Sequence, residues 1–172
     1  MDSAKRVIIS GVFTALLIGA QMALSSVSGV EIVTILFLCY CYVFGVKQGL
    51  LVANAFSLIR CLIFGFSPTV IVLYLVYYNL FALVFGTLGR VFKHEYNLKK
   101  HAVVVVVAVV MTALFTMLDN VITPLVYGFT LNAMKAYFLA SLYTLLPHVI
   151  CSFCTALLLF APLIKVLGGF NK

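Results

Sequence analysis

Long apolar segments, separated by short stretches that hold most of the basic residues, dominate this sequence. The chain has 172 residues, of which 65% are hydrophobic and only 9% are charged. A soluble domain is typically about 45–50% apolar and about 25% charged, so one core of this size cannot bury so much apolar surface. A membrane-spanning helix needs roughly 20 apolar residues. The sequence therefore predicts an all-α integral membrane protein that forms a single domain over residues 1–172.

Six of the apolar segments are predicted to be transmembrane helices. Lys47, Gln48 and Gly49 are expected to form the turn between the second and third, and Pro68 is suited to the first turn of the fourth. Residues 133–143 remain open to three interpretations: the end of a span, a loop or an interfacial helix. The predicted spans cover approximately residues 7–26, 31–46, 50–64, 69–88, 102–126 and 145–167.

The basic residues predict how the chain is oriented. The formal net charge is +7, from 11 Lys and Arg against 4 Asp and Glu. Six spans put both termini on one side, and cytoplasmic loops of membrane proteins carry an excess of Lys and Arg. With both termini cytoplasmic, Lys135 alone faces outward, Arg60 lies within a span, and the other nine of the 11 cations face the cytoplasm. The charge therefore indicates membrane topology, and no nucleic-acid partner is expected.

Ionisable side chains inside a span cost several kcal/mol unless they are paired or lie in a watery cavity, so each marks a possible site. In the predicted topology the strongly polar side chains within the spans gather in the outer half, with Gln21 and Asn54 as exceptions. We interpret the group as a site for a polar ligand that opens outward. Its members are Glu31, Arg60, Tyr74, Tyr78, Asn79, Asp119, Asn120 and His148.

Structural roles are the alternatives for the same side chains. Glu31 is placed to cap a helix, and Arg60 to snorkel outward or to pair with Asp119 or Glu31. Tyrosines near an interface commonly form an aromatic belt, and His148 is placed to bond a carbonyl freed by Pro147. The adjacent Asp119 and Asn120 are harder to explain in this way, because two neighbouring polar residues do not share one narrow helix face.

The sequence contains no signature of catalysis. A G-x-x-x-x-G-K-S/T phosphate loop is absent, so energy for any active process must come from an ion gradient or a partner. Asp119 and His148 as an acid–base pair lack a nucleophile or metal ligands to complete a site. The five cysteines, including Cys151 and Cys154, lie in apolar segments and are expected to be small hydrophobic residues. We therefore predict neither an enzyme nor a cofactor or metal.

Small residues recur every four positions along the first predicted helix, at Gly11, Ala15, Gly19 and Ala23. Such a stripe lets a second helix approach closely, which favours helix association in lipid. Its partner is either another helix of this chain or another subunit.

The segment Val43-Phe44-Gly45-Val46-Lys47-Gln48-Gly49-Leu50, followed by Asn54, Arg60 and Gly65, resembles the turn between helices 2 and 3 of the substrate-binding S components of energy-coupling factor (ECF) transporters. Length, six spans and basic termini extend the resemblance over the whole chain. It implies a subunit of the bacterial cytoplasmic membrane that binds a vitamin or related micronutrient from outside. It also implies partners, namely a transmembrane coupling subunit and two ATPase subunits, with docking through the small-residue stripe.

The resemblance further implies a pocket bounded by helices 4 to 6 and the loop between helices 1 and 2. The metal-binding branch of the family uses an N-terminal histidine-rich set, whereas this chain begins Met1-Asp2-Ser3-Ala4. We expect a flat heteroaromatic ligand, with Tyr74 and Tyr78 stacking on its ring and Arg60 holding a carboxylate or phosphate. Asp119 and Asn120 are expected to bind its polar edge. The competing hypotheses are a six-span membrane scaffold resembling rod-shape proteins and a proton-coupled transporter that works alone.

Overall fold

The computed structural model describes residues 3–25, 32–93 and 97–170, and within these ranges every regular element is an α-helix. This confirms the predicted all-α fold. Five of the helices are long and apolar enough to cross a membrane, whereas the second, with 12 residues, is not. The helices are α1 (Ser3–Leu24), α2 (Val33–Phe44), α3 (Val46–Phe64), α4 (Pro68–Val91), α5 (Leu98–Tyr127) and α6 (Leu131–Phe170).

The short helix α2 is the centre of the bundle. It packs against α1, α3, α4 and α6, and its Cys39, Tyr40 and Cys41 have an exposed fraction of 0%. A helix that is apolar on all sides is stable when neighbouring helices cover it completely. At 1.5 Å per residue, α2 extends only about 18 Å, less than the roughly 30 Å of a hydrocarbon core. Because protein surrounds it, its length need not match the lipid.

A group of hydrogen-bonded polar side chains connects α2 to α1 and α3, near the start of α3. The hydroxyl groups of Ser10 and Tyr40 lie 2.8 Å apart, and the Ser10 hydroxyl also lies 2.7 Å from Oε1 of Gln48. These contacts connect α1, α2 and α3 inside the bundle. Buried polar groups are stable there because each has a partner.

One glycine separates α2 from α3. Gly45 has φ 79° and ψ 179°, a conformation that side chains rarely adopt, and the Gly49 N–H donates to its carbonyl oxygen at 3.0 Å. The prediction that Lys47, Gln48 and Gly49 form this turn is therefore wrong. All three belong to the first turn of α3, because the reversal takes place entirely at Gly45.

Helix α4 packs directly on the end of α2. A Cβ atom added to Gly89 would overlap the carbonyl oxygen of Tyr42 and would lie 2.8 Å from its carbonyl carbon. Only a residue without a side chain permits this approach of backbone to backbone. Gly89 thus fixes how the C-terminal part of α4 lies against α2.

Helices α5 and α6 form a long hairpin. The Thr112 hydroxyl donates to the Ser152 hydroxyl at 2.8 Å, and Nε2 of His101 lies 3.1 Å from the carbonyl oxygen of Ala156. Residues 133–143 belong to α6, which has 40 residues and continues through Pro147 and Pro162. The helix therefore begins well before the span predicted at 145–167.

Candidate functional site

Side chains from three helices meet at Tyr74 on α4. This contact lies near one end of the bundle, which we call the outer end according to the predicted orientation. The guanidinium carbon of Arg60, from α3, lies 4.0 Å from the Tyr74 ring centroid. Nε2 of Gln21, from α1, donates to the Tyr74 hydroxyl at 3.5 Å. A cation over an aromatic face is attracted by the ring electrons. The predicted site residues Arg60 and Tyr74 are thus in direct contact.

A small space beside Tyr74, here named the tyrosine cavity, lies between α2, α4, α5 and α6. Its volume is about 20 Å³, which is the room of a single water molecule. The ring centroids of Tyr74 and Tyr78 are 5.2 Å apart, as expected from their spacing on one helix face. The cavity is lined by Thr34, Tyr74, Tyr77, Tyr78, Thr112, Phe115 and His148.

Two buried polar atoms next to Tyr74 have no hydrogen-bond partner among the described residues. They are Oε1 of Gln21 and Nε of Arg60. Buried polar atoms in folded proteins nearly always have a partner, and each exception calls for an explanation. One acceptor and one donor, in two side chains that both contact Tyr74, would suit a polar ligand that binds beside this ring.

Asp119 and Asn120 belong to a different part of the structure, the outer end of the α5–α6 hairpin. The Asp119 carboxylate accepts hydrogen bonds from Thr123 at 2.7 Å and from Tyr137 at 2.6 Å. The Asn120 side-chain amide donates to the Ser141 hydroxyl at 2.7 Å. Both side chains thus connect α5 to the first turns of α6. The described residues contain no contact between Asp119 and Arg60 that would form the ion pair considered above.

Asn79 joins α4 to α3. Its side-chain amide and that of Asn54 exchange two hydrogen bonds of 3.1 Å each. Each amide also donates to a carbonyl oxygen of its own helix at 2.8 Å. The structure therefore does not bring Asn79 to the tyrosine cavity, and Glu31 lies outside the described residues.

The outer cluster thus separates into two groups. Arg60, Tyr74, Tyr78 and His148 come together at or beside the tyrosine cavity, as the sequence predicts, although binding itself stays a prediction. Gln21 was set apart from them on the sequence, yet it contacts Tyr74. The sequence did contain a signal for this contact. Gln21 lies one turn before the end of α1, and in the predicted topology that depth matches the first two turns of α4. The cavity residues Thr34, Thr112 and Phe115 were not singled out on the sequence.

The tyrosine cavity brings together side chains of the kinds that stack on and hydrogen-bond to small molecules. Within residues 3–25, 32–93 and 97–170, no group of three or more His, Cys, Asp or Glu side chains is placed to hold a metal ion. The tyrosine cavity presents aromatic rings, hydroxyl groups and one imidazole, with a guanidinium beside it. Such a set recognises a flat ligand by stacking and by a few directed hydrogen bonds.

The small-residue stripe of α1 lies on the surface. Gly11, Ala15, Gly19 and Ala23 are all exposed, and a Cβ added at either glycine would meet no atom within 4 Å. Helix α1 packs inward with another face, which includes Phe13 and Leu17. The described part of the chain therefore leaves the stripe without a helix partner.

No family model matches this sequence, and neither a curated protein nor a solved structure matches it. The function is therefore argued from the residues of this chain.

Proposed function

We propose that this protein is the substrate-binding membrane subunit of an ECF-type importer. In this proposal it captures a vitamin-like molecule from outside the cell and delivers it inward together with a transmembrane coupling subunit and two ATPase subunits. It is not itself an enzyme. The observation that supports the proposal is the pair of unpartnered buried atoms, Oε1 of Gln21 and Nε of Arg60, in two side chains that both contact Tyr74.

The proposed topology has six spans with both termini in the bacterial cytoplasm. Helices α1 and α3 both pack against α2. Since α2 returns the chain between two membrane-spanning helices, we count it as the sixth crossing despite its length. Arg6 near the start of α1, Lys47 near the start of α3 and Arg90 near the end of α4 then share the cytoplasmic side, as cations in bacterial membrane proteins do.

Binding in this proposal depends on opening the tyrosine cavity. A space of about 20 Å³ holds a water molecule but no vitamin, so the aromatic side chains must separate when a ligand enters. The ligand ring then stacks on Tyr74 and Tyr78 in the opened cavity, and the Arg60 guanidinium moves off the Tyr74 ring. Arg60 turns to a carboxylate or phosphate of the ligand, and Gln21 accepts a hydrogen bond from its polar edge. Both unpartnered atoms gain a partner.

Removing the positive charge of Arg60 tests this site. We would compare the thermal unfolding of the wild-type protein, Arg60→Gln and Lys135→Gln in the presence of a panel of water-soluble vitamins and their precursors. A charge-assisted hydrogen bond contributes about 1.5–3 kcal/mol, so Arg60→Gln should weaken binding by about 10-fold to 100-fold. Lys135→Gln removes the same charge from an exposed outer position and should bind like the wild type.

Two outcomes would count against the proposal. In the first, no compound of the panel raises the unfolding temperature of the wild-type protein. That result would contradict the transporter hypothesis and favour the scaffold hypothesis. If a compound binds Arg60→Gln as well as the wild type, the protein has a ligand but the site is elsewhere.

The docking half of the proposal has its own test. Ala15→Leu combined with Gly19→Leu fills the exposed stripe of α1 and should abolish co-purification with the coupling subunit from the same organism, because close helix approach needs small residues. Val7→Leu, at another exposed position of the same helix, is the matched control. If the double variant still co-purifies with the coupling subunit, the stripe is not part of the interface.

A further inference from the structure

A cleft lined by three cations lies at the inner end of the bundle, opposite the tyrosine cavity. Arg6 of α1, Lys47 of α3 and Arg90 of α4 surround the Gly45 turn, together with Phe44, and the cleft has a volume of about 330 Å³. Asp119 is the one acidic residue in the part of the chain that the structure describes. It lies near the outer end of the bundle, on the C-terminal part of α5. Among the described residues, the cleft is therefore lined by three cations and by no acidic side chain.

The packing of the bundle determines how the cleft is built. The Ser10 hydroxyl lies within hydrogen-bond distance of both the Arg6 carbonyl oxygen, at 2.9 Å, and Oε1 of Gln48, at 2.7 Å. These contacts hold the start of α1 beside the start of α3. The close approach at Gly89 places the next residue, Arg90, beside the same turn.

The start of α3 adds to the positive potential of the cleft. No side chain caps this helix, and its first turn lines the cleft. A helix N-terminus carries partial positive charge and free N–H groups. Three cations and a helix start thus face the same opening.

An apolar groove begins where the cleft ends. It lies between α1 and α6, is floored by α2 and has a volume of about 450 Å³. Every residue that lines it is apolar, including Ile8 and Val12 on one side and Leu163 and Leu167 on the other. Phe44 lines both the groove and the cationic cleft. An anion bound in the cleft therefore has an apolar channel directly beside it.

We infer that the cleft and the groove together bind one anionic phospholipid, with its phosphate among Arg6, Lys47 and Arg90 and an acyl chain along the groove. Basic pockets between membrane helices attract anionic headgroups, and apolar chains favour a groove without polar atoms. A zwitterionic lipid offers the same chains but no net charge. This inference goes beyond the proposed function, because it does not depend on the tyrosine cavity or its ligand.

Native mass spectrometry of the detergent-purified protein tests the inference. Dioleoyl phosphatidylglycerol and dioleoyl phosphatidylcholine, which share their acyl chains, would each be titrated, and inorganic phosphate would be added alone in a third series. We expect phosphatidylglycerol to bind one molecule per chain at lower concentration than phosphatidylcholine. Each cation near an anionic headgroup contributes about fivefold in affinity, so Lys47→Gln with Arg90→Gln should weaken binding about 25-fold.

Control variants separate this site from general surface charge. Lys93→Gln with Lys99→Gln removes two exposed inner cations that do not line the cleft, and should leave phosphatidylglycerol binding unchanged. Val12→Phe fills the groove from an exposed position and should weaken phosphatidylglycerol binding without changing the net charge.

Three results would overturn the inference. The first is equal binding of the two lipids by the wild-type protein. The second is wild-type affinity for phosphatidylglycerol in the Lys47→Gln and Arg90→Gln variant. The third is binding of inorganic phosphate as tight as that of phosphatidylglycerol, which would identify a site for free anions in place of a lipid.

Discussion

Gly89→Ala should destabilise the protein more than a single methyl group ordinarily does. Its added Cβ would overlap the Tyr42 carbonyl oxygen and lie 2.8 Å from the carbonyl carbon. Carbon atoms pack at about 3.5 Å or more, so the contact with the carbonyl carbon alone requires α2 and α4 to separate locally by about 0.7 Å, and clearing the carbonyl oxygen requires more. Both contacting groups are helix backbone, and no side chain can rotate to relieve the contact.

The expected loss follows from the cost of overpacking. Extra methyl groups in a packed core cost about 1–3 kcal/mol, and a contact between two backbones belongs at the upper end. For a chain of this size, each kcal/mol lowers the unfolding temperature by about 2–4 °C. Because alanine's higher helix propensity recovers up to about 1 kcal/mol of this loss, we expect Gly89→Ala to unfold about 4–12 °C below the wild-type protein.

The buried cysteines provide the assay. Cys39 and Cys41 have an exposed fraction of 0%, whereas Cys154 is exposed. In a background with Cys151→Ala and Cys154→Ala, a maleimide dye that fluoresces on reaction with thiols should report the exposure of Cys39, Cys41 and Cys61 as the detergent-purified protein unfolds. The unfolding temperature is the midpoint of the rise in fluorescence.

Gly168→Ala is the matched control for this prediction. It lies inside α6, where an added Cβ would meet no atom within 4 Å. Alanine is favoured over glycine in a helix by up to about 1 kcal/mol, so this variant should unfold at or slightly above the wild-type temperature. If both variants unfold at the same temperature, the close packing of α4 on α2 is refuted.

Two further predictions concern polar contacts outside the tyrosine cavity. Asn54→Leu and Asn79→Leu should be coupled by about 1 kcal/mol in a double-mutant cycle of thermal unfolding, because each amide is the other's partner; additive losses would contradict the pairing. Tyr137→Phe should speed amide hydrogen exchange in the first turns of α6 by about 10-fold or more, since it removes a hydrogen bond to the Asp119 carboxylate worth about 1.5–3 kcal/mol. Unchanged exchange there would show that this bond does not hold the hairpin.

The helices themselves could be predicted closely where glycine, proline or charge ends an apolar segment. Residues 69–88 were predicted as a span, and α4 covers Pro68–Val91. The start of α6 could not be placed, because residues 133–143 fit the end of a span, a loop or an interfacial helix. In the structure they belong to α6, which continues through Pro147. Neighbouring groups in a membrane protein can satisfy the backbone atoms that a proline leaves free.

The turn between α2 and α3 shows a second limit of sequence reasoning. Gly45 and Gly49 lie four residues apart, and both are suitable turn residues. The positive φ at Gly45 and the tight contact of Gly49 with Cys41 follow from tertiary packing, which determines where the chain reverses. Local sequence does not distinguish the two.

The direction in which each polar side chain points was the least predictable feature. In a soluble helix, hydrophobic periodicity separates the buried face from the exposed face. In lipid both faces are apolar, so depth can be read from the sequence but rotation about the helix axis cannot. Depth placed Arg60, Tyr74 and His148 in one layer. The rotation of each helix about its axis, which the sequence does not reveal, turns Asp119 toward Tyr137 and Asn79 toward Asn54.

Identifying what the purified protein carries tests the central claim most directly. The wild-type, Arg60→Gln and Lys135→Gln proteins would be measured by native mass spectrometry and then denatured, and any small molecule released would be identified. The account predicts one vitamin-like compound per chain in the wild-type and Lys135→Gln proteins and little or none in Arg60→Gln. A ligand at 100 times its dissociation constant stabilises a protein by about 2.7 kcal/mol. An empty wild-type protein that no compound of the vitamin panel stabilises would contradict the account.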